Sequence, residues 1–333
     1  MEEQQKAAED AHKKVRKIVQ ELAKAEVSVV VPSEVAINAS KNMSPMDDIF
    51  FNKMGEDAGA IEEVISTVLG IKVIAREVVP QYTITGIGHR GVRLDAFAMV
   101  LPEVIVKVEL GEDCTLGEKG AFINVEVQKN DNDDHEYRVY YNGASIIVNN
   151  TPRGTKKFAD IPRAVVIFIS DFDVFGEGEM YYEVGKVTKK SGTSRRSPVT
   201  EIYINTVNDD RSDDRMENIA GLMKVFKDPN LYDFDKFPKF SQRKWDLRET
   251  EKGVMVVSRE LQQIIDTEKA ESERKGRAEG EMIGRAEERK DLAGLMSFLA
   301  TNGRSDDIVR AGQDETFLNK LLADFRRGLM VAN

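Results

Sequence analysis

Two short segments about thirty residues apart hold the side chains with chemical potential, Val92-Arg-Leu-Asp95-Ala-Phe-Ala and Ile123-Asn-Val-Glu126-Val-Gln128-Lys129. Each sets an acid inside an apolar run of strand length. A lone buried carboxylate is costly unless it is paired, hydrogen-bonded or bound to a metal. Side chains alternate along a strand, so Glu126 and Gln128 share one face while Val125, Val127 and Lys129 take the other. Two strand carboxylates and an amide side by side make an oxygen-rich site suited to a hard cation, Mg²⁺ or Mn²⁺. Asp95 and Glu126 are the expected ligands, with the Val127 carbonyl beside them. A metal held there polarises a phosphate and lowers the pKa of a bound water, the chemistry of a phosphodiesterase. The competing reading is that each acid lies on a solvated strand face, because Glu-x-Gln alone is a weak pattern.

The elements that must position these residues follow from hydrophobic spacing. Ile61, Val64, Ile65, Val68 and Leu69 recur at helical spacing, with Asp47 or Asp48 as a cap before them and Gly70 as the stop. Strands are expected near 72–79, 81–87, 91–100, 103–110 and 121–128, then a helix over about 133–149. Ala164-Val-Val-Ile-Phe-Ile-Ser170 reads as a buried strand, with shorter strands near 179–188 and 200–205. An opening helix, a run of strands and then strand–helix–strand is the order of a mixed α/β sheet flanked by helices. Residues 1–26 read as a charged helix and Ser33–Ser44 as a linker. Glu260–Lys290 is dense in Glu, Lys, Arg and Ala, and reads as an extended helical arm able to pair subunits into a homo-oligomer. Two short capped helices follow as a small tail. The resulting division is 1–43 as appendage, 44–255 as core, 256–300 as arm and 301–333 as tail.

Composition narrows the classes. The chain has 333 residues, a net charge of −10 and a single cysteine, Cys114, which excludes a disulfide framework and a thiolate zinc site. No apolar run of about eighteen residues is present, so no membrane span is expected. The polar start, Met1-Glu-Glu-Gln-Gln-Lys, lacks a signal core, and the expected compartment is the cytoplasm. The acidic balance argues against a protein that coats nucleic acid, but an enzyme needs only a local basic surface. Two segments offer one. Gly185–Arg196 carries Lys189, Lys190, Arg195 and Arg196 in a Gly/Ser setting typical of a hairpin tip. Lys236–Arg248 interleaves Arg243 and Lys244 with Phe237, Phe240 and Trp245, a mixture suited to backbone and base contacts. The alternative is that these rings close a small core and the charges are solvated.

The chain resembles the PD-(D/E)XK nuclease-family transposases, also described as recombination-promoting nucleases. The resemblance begins at Ser44-Pro-Met-Asp-Asp-Ile-Phe-Phe-Asn-Lys-Met and runs through Val92-Arg-Leu-Asp95-Ala and Asn124-Val-Glu126-Val-Gln128-Lys129. It continues in Asp133-Asp-His135-Glu-Tyr-Arg138-Val-Tyr-Tyr141, Phe168-Ile-Ser-Asp-Phe-Asp and Glu201-Ile-Tyr-Ile-Asn205, and ends near Glu251-Lys-Gly253. It implies a restriction-endonuclease-like core, Mg²⁺-dependent DNA cleavage and a link to recombination or mobile elements. It also implies a third acid from the opening helix, for which Glu62 and Glu63 are candidates beside their ordinary role as a polar helix face.

The departures from the family pattern are specific. No proline precedes Asp95, and Gln128 stands where the family pattern implies a lysine. The stretch between Asp95 and Glu126 is long and holds Glu103, Glu109, Glu112 and Asp113, read as a solvated hairpin extension. Gln128 can orient a water but brings no charge. Alternation points Lys129 away unless the strand ends there, and Asn130-Asp-Asn-Asp reads as that end, which makes Lys129 a catalytic candidate able to swing in. Arg138 suits either the site carboxylates or a substrate phosphate; the plain alternatives are a surface salt bridge for Arg138 and a core ring for Tyr141. Three readings stand at this point: the endonuclease, a catalytically inactive DNA-binding relative, and a structural or adaptor protein whose acids are surface residues.

Overall fold

The computed structural model describes residues 30–84, 92–100 and 121–330. The expected N-terminal charged helix, the strand at 103–110, Cys114 and the acids between Glu103 and Asp113 lie outside the described residues. Contacts divide the chain between Gln263 and Ile264 into two compact units.

The first unit is a mixed α/β sheet between helices. Its opening helices are α1 (Glu34–Ser40), α2 (Asp48–Met54) and α3 (Ala58–Leu69). The Asp57 side chain accepts from Ala60 N at 3.0 Å at the start of α3, and Gly70 ends it in the left-handed region at φ 68°. Glycine reaches that conformation without a Cβ penalty. The stretch read as a linker thus contains α1, because the Ser33 hydroxyl accepts from Ala36 N and caps it.

Three strands follow, β1 (Ala75–Ile84), β2 (Val92–Val100) and β3 (Ala121–Gln128), then α4 (His135–Asn150) and β4 (Arg163–Ser170). Beyond them lie β5 (Tyr181–Val184), the hairpin β6 (Lys186–Thr188) and β7 (Thr193–Arg195), and β8 (Val199–Asn205). Helices α5 (Asp214–Lys227) and α6 (Pro238–Glu249) come next, and α7 (Glu251–Thr301) begins in this unit. The two strands expected at 72–79 and 81–87 meet as one β1, which carries the positive-φ residue Gln81 at 52° rather than a break.

The six-stranded sheet has the order β1-β2-β3-β4-β8-β5. The β1–β2 and β2–β3 pairs are antiparallel, β3–β4 and β4–β8 are parallel, and β5 returns antiparallel on β8. Parallel neighbours need a crossover, and α4 supplies it between β3 and β4. The unbroken apolar run of β4 is buried on both faces, as a central strand requires. Ile123, Val125 and Val127 of β3 join α2, α3, α5 and α6 in the larger core, where Phe226 stacks on Phe240 with ring centroids 4.7 Å apart. The other face packs under α4 through Ile146, Ile147, Val139 and Phe168. Gly143 lets α4 lie close to the sheet, since a Cβ there would stand 2.5 Å from Val199 Cγ1.

In the second unit, the last turns of α7 join α8 (Ser305–Ala311) and α9 (Glu315–Arg326) around Leu295, Leu299, Leu321 and Leu322. Residues 266–290 of α7 are exposed throughout. They carry i,i+4 pairs such as Glu281–Arg285 at 3.7 Å, each worth a few tenths of a kcal/mol. Among the described residues no helix is long and apolar enough to cross a membrane.

Candidate functional site

Strand alternation in β3 sends Asn124, Glu126 and Gln128 toward the α4 face, away from the core formed by Val125 and Val127. The β2–β3 ladder stops at Ala96 opposite Val125, so Asp95 lies one residue past the last pair. Its Oδ2 accepts from Val127 N at 3.1 Å in place of a ladder bond. The N–H and C=O of one strand residue point to the same side, so the Val127 carbonyl also faces Asp95. Across β1, Gln81 falls between the pairs Pro80–Ala96 and Tyr82–Leu94, which sets its positive-φ backbone opposite Asp95. Alternation is interrupted here: Leu94 and Phe97, three apart, both enter the cluster under α4.

Asp95, Glu126, Val127, Gln128 and Arg138 line one cavity of about 570 Å³ together with Asp48, Arg93, Asp134, Tyr137, Tyr141 and Asn142. Glu126 is 4% exposed, and its Oε1 accepts from Asn124 Nδ2 at 2.6 Å and Asn142 Nδ2 at 3.1 Å. Burial pushes the Asp95 carboxyl up to about 8, reinforced by the charges of Glu126 and Asp48. Burial also raises Glu126, against the opposing pull of its Asn124 hydrogen bond and Arg138. Asp48 is raised by burial as well, opposed first by Arg138. Three carboxyls in one cavity are thus held toward their neutral forms, with Arg138 as a common counter-charge.

The Arg138 guanidinium lies 5.5 Å over the Phe168 ring, and its NH2 donates to Gln128 Oε1 at 2.8 Å. Gln128 Nε2 donates to Asn130 O, so both ends of that amide are engaged. The Nε of Arg138 is buried with no hydrogen-bond partner. A buried donor of this kind costs about 1–3 kcal/mol, which a bound oxyanion or water would relieve. Among the described residues no three acidic, histidine or cysteine side chains form a metal cage by themselves. Asp95 and Glu126 with a main-chain carbonyl still suit Mg²⁺, which keeps several of its waters and takes one or two carboxylates.

Other expected residues lie elsewhere. Lys129 Nζ is ion-paired with Asp47 Oδ1 at 2.7 Å and does not line the cavity, so it does not swing in. Glu62 accepts from Ala75 N and Glu63 from Phe240 N, which makes both structural; the acid that the opening helices bring to the cavity is Asp48. His135 is buried beside Phe168 and Phe172. Lys189, Lys190, Arg195 and Arg196 are exposed on or beside the β6–β7 hairpin, as its turn chemistry predicts.

Arg243 and Lys244 are not surface contacts. Arg243 donates to Lys53 O and pairs with Glu56. Lys244 is 0% exposed, and its Nζ donates to Val225 O, Asp228 O and Leu231 O at 2.6, 2.6 and 2.8 Å. Burial, then Arg248, pushes its pKa down to about 7, yet an ammonium has three donors for three carbonyls, so the charged form fits. Replacing Lys244 with Met leaves those carbonyls unpaired. We expect about 3 kcal/mol of destabilisation in urea unfolding, against less than 1 for a truly exposed lysine.

Sequence reasoning passed over Asn124, Asn142 and Asp48. Asn124 and Glu126 share a face by alternation, and Asn142 lies one helical turn past Arg138, so both had a spacing signal. Asp48 had none, because its approach to Asp95 depends on how α2 crosses the sheet. Comparison with known protein families, curated proteins and solved structures finds no match.

Proposed function

We propose that this chain is a divalent-metal-dependent DNA endonuclease with a restriction-endonuclease-like core, linked to recombination or mobile elements. The observation that carries the reading is the meeting of Asp95 and Glu126, from separate strands, in a cavity that raises the proton affinity of both. Carboxyls stored this way become good ligands once a cation displaces their protons. The bound cation supplies polarisation of the scissile phosphate and an activated water. Asp95 and Glu126 hold it beside the Val127 carbonyl, while Asn124 and Asn142 fix the Glu126 carboxylate. Arg138, oriented by Gln128, provides the positive charge that a lysine at position 128 would bring, and its planar fork suits a phosphate.

The test is supercoiled plasmid incubated with Mg²⁺ and purified protein, beside Asp95→Ala, Glu126→Ala and an EDTA control. Nicking lost in both variants and in EDTA is the expected result. Cleavage that survives in the variants overturns the site. DNA binding without cleavage by the unaltered chain makes it an inactive DNA-binding relative.

A further inference from the structure

The outer face of α4 begins at the cavity and leads away from it. Tyr137 and Tyr141 both line the cavity and fall with Val148 at helical spacing on the side opposite Val139, Gly143 and Ile146, which are buried, while Tyr140 stands on the flank between them, one turn after Glu136. Tyr137 is 78% exposed and Tyr140 58%. Aromatic rings left in water along one helix face mark a binding surface more often than a scattered exposed residue does. Acids flank the cavity end of this face: Asp134 lines the cavity beside Tyr137, and Glu136 lies one turn before Tyr140.

At 16 residues, α4 spans about 24 Å, and it runs from the cavity into the turn at 151–160. That turn presents Arg153, Lys156 and Lys157, all exposed, and Phe158 at 90% exposure. Exposed rings at the start of α4, with a further ring and three cations in the turn beyond its end, match a strand of unpaired bases with its phosphates. A duplex buries its base faces in its own stack and offers nothing to these rings. The length of α4 corresponds to about seven stacked nucleotides.

We propose that α4 and the turn after it form a track for single-stranded nucleic acid, which delivers an unpaired strand to the cavity. The assignment of what happens to the strand there rests on the phosphodiester reading above, but the track itself is measured by binding without cleavage. Bases stack on Tyr137, Tyr140 and Phe158, and Arg153, Lys156 and Lys157 meet the backbone.

The experiment uses the full chain in EDTA and follows fluorescence anisotropy of a labelled twelve-nucleotide strand, its duplex, and an abasic strand of equal length. The strand is expected to bind at least about tenfold more tightly than the duplex or the abasic strand. Tyr137→Ala with Tyr140→Ala loses about tenfold or more, and the corresponding Phe pair restores it. Arg153, Lys156 and Lys157 changed together to Ala lower the slope of log K against log salt by about 2. Equal binding of strand and duplex, or Tyr variants that bind as the parent does, overturns the track. Light scattering that shows a dimer dissolved by Tyr137→Ala also overturns it, by giving the face to a second copy. Plasmid nicking without strand preference leaves the nuclease reading standing and removes the track; strand binding through the tyrosines without any cleavage does the reverse.

Discussion

Asp95→Asn is expected to lower phosphodiester cleavage steeply and, in the metal-free protein, to raise the stability of the fold. Burial pushes the Asp95 carboxyl from an ordinary 3.8 to about 8. A folded-state pKa above the unfolded one means that the group stabilises the fold most below about pH 4. That contribution fades as pH rises toward 8, where the buried acid must ionise. Asparagine has no charge to bury and keeps an oxygen for Val127 N–H. The variant's advantage is therefore near zero at pH 4 and grows to roughly 1–3 kcal/mol by pH 8. Thermal melts at the two pH values read it as a shift of a few degrees at the higher one alone. On the proposed metal-holding role of Asp95, cleavage falls on the order of a thousandfold, since losing a ligand removes several kcal/mol of charge stabilisation. Mg²⁺ raises the melting temperature of the parent but not of the variant. A variant that melts earlier than the parent at pH 8 would show that Asp95 is a structural acid.

Gly253→Ala is expected to give the largest stability loss from a single methyl group. Only Thr250 separates α6 from α7, so the two helices turn directly against each other. A Cβ at 253 would lie 1.9 Å from Asp246 O and 2.6 Å from Leu247 Cα, both backbone atoms that no rotamer change can move aside. Leu247 and Val257 on either side belong to the main core, so opening the corner disturbs their packing. The helix propensity gained by alanine, about 1 kcal/mol, opposes an overpacking cost of about 3 kcal/mol or more. Gly280→Ala in the exposed stretch of α7, where a Cβ meets nothing within 4 Å, supplies the contrast. There the propensity gain acts alone and local helix stability rises. Urea unfolding for the first variant, and amide exchange across α7 for the second, check the two signs. A Gly253→Ala protein as stable as its parent would mean that the α6–α7 corner is loose.

Several features were legible in the residues because they depend on local spacing. The run 164–169 required a buried strand, Ile61 through Leu69 a helix face stopped by Gly70, and Gly185–Arg196 a hairpin. Alternation alone placed Glu126 with Gln128 on one side of β3. Local propensity did not decide where basic residues finish: Lys244 and Arg243 look like surface charge in sequence, yet the chain folds carbonyls of Val225, Asp228 and Leu231 around one and Lys53 around the other. Residues 33–44, poor in large apolar side chains, read as a linker although Ser33 caps a helix there. The sequence by itself determined the mixed α/β order and the two acids, since both follow from side-chain periodicity along single elements. Tertiary structure alone decided that Lys129 pairs with Asp47, that Asp48 joins Asp95 and Glu126 in one cavity and that Arg138 lies there as their common counter-charge. Those choices depend on the crossing of α2 and α4 over the sheet and on the end of the β2–β3 ladder, contacts between residues far apart in the chain.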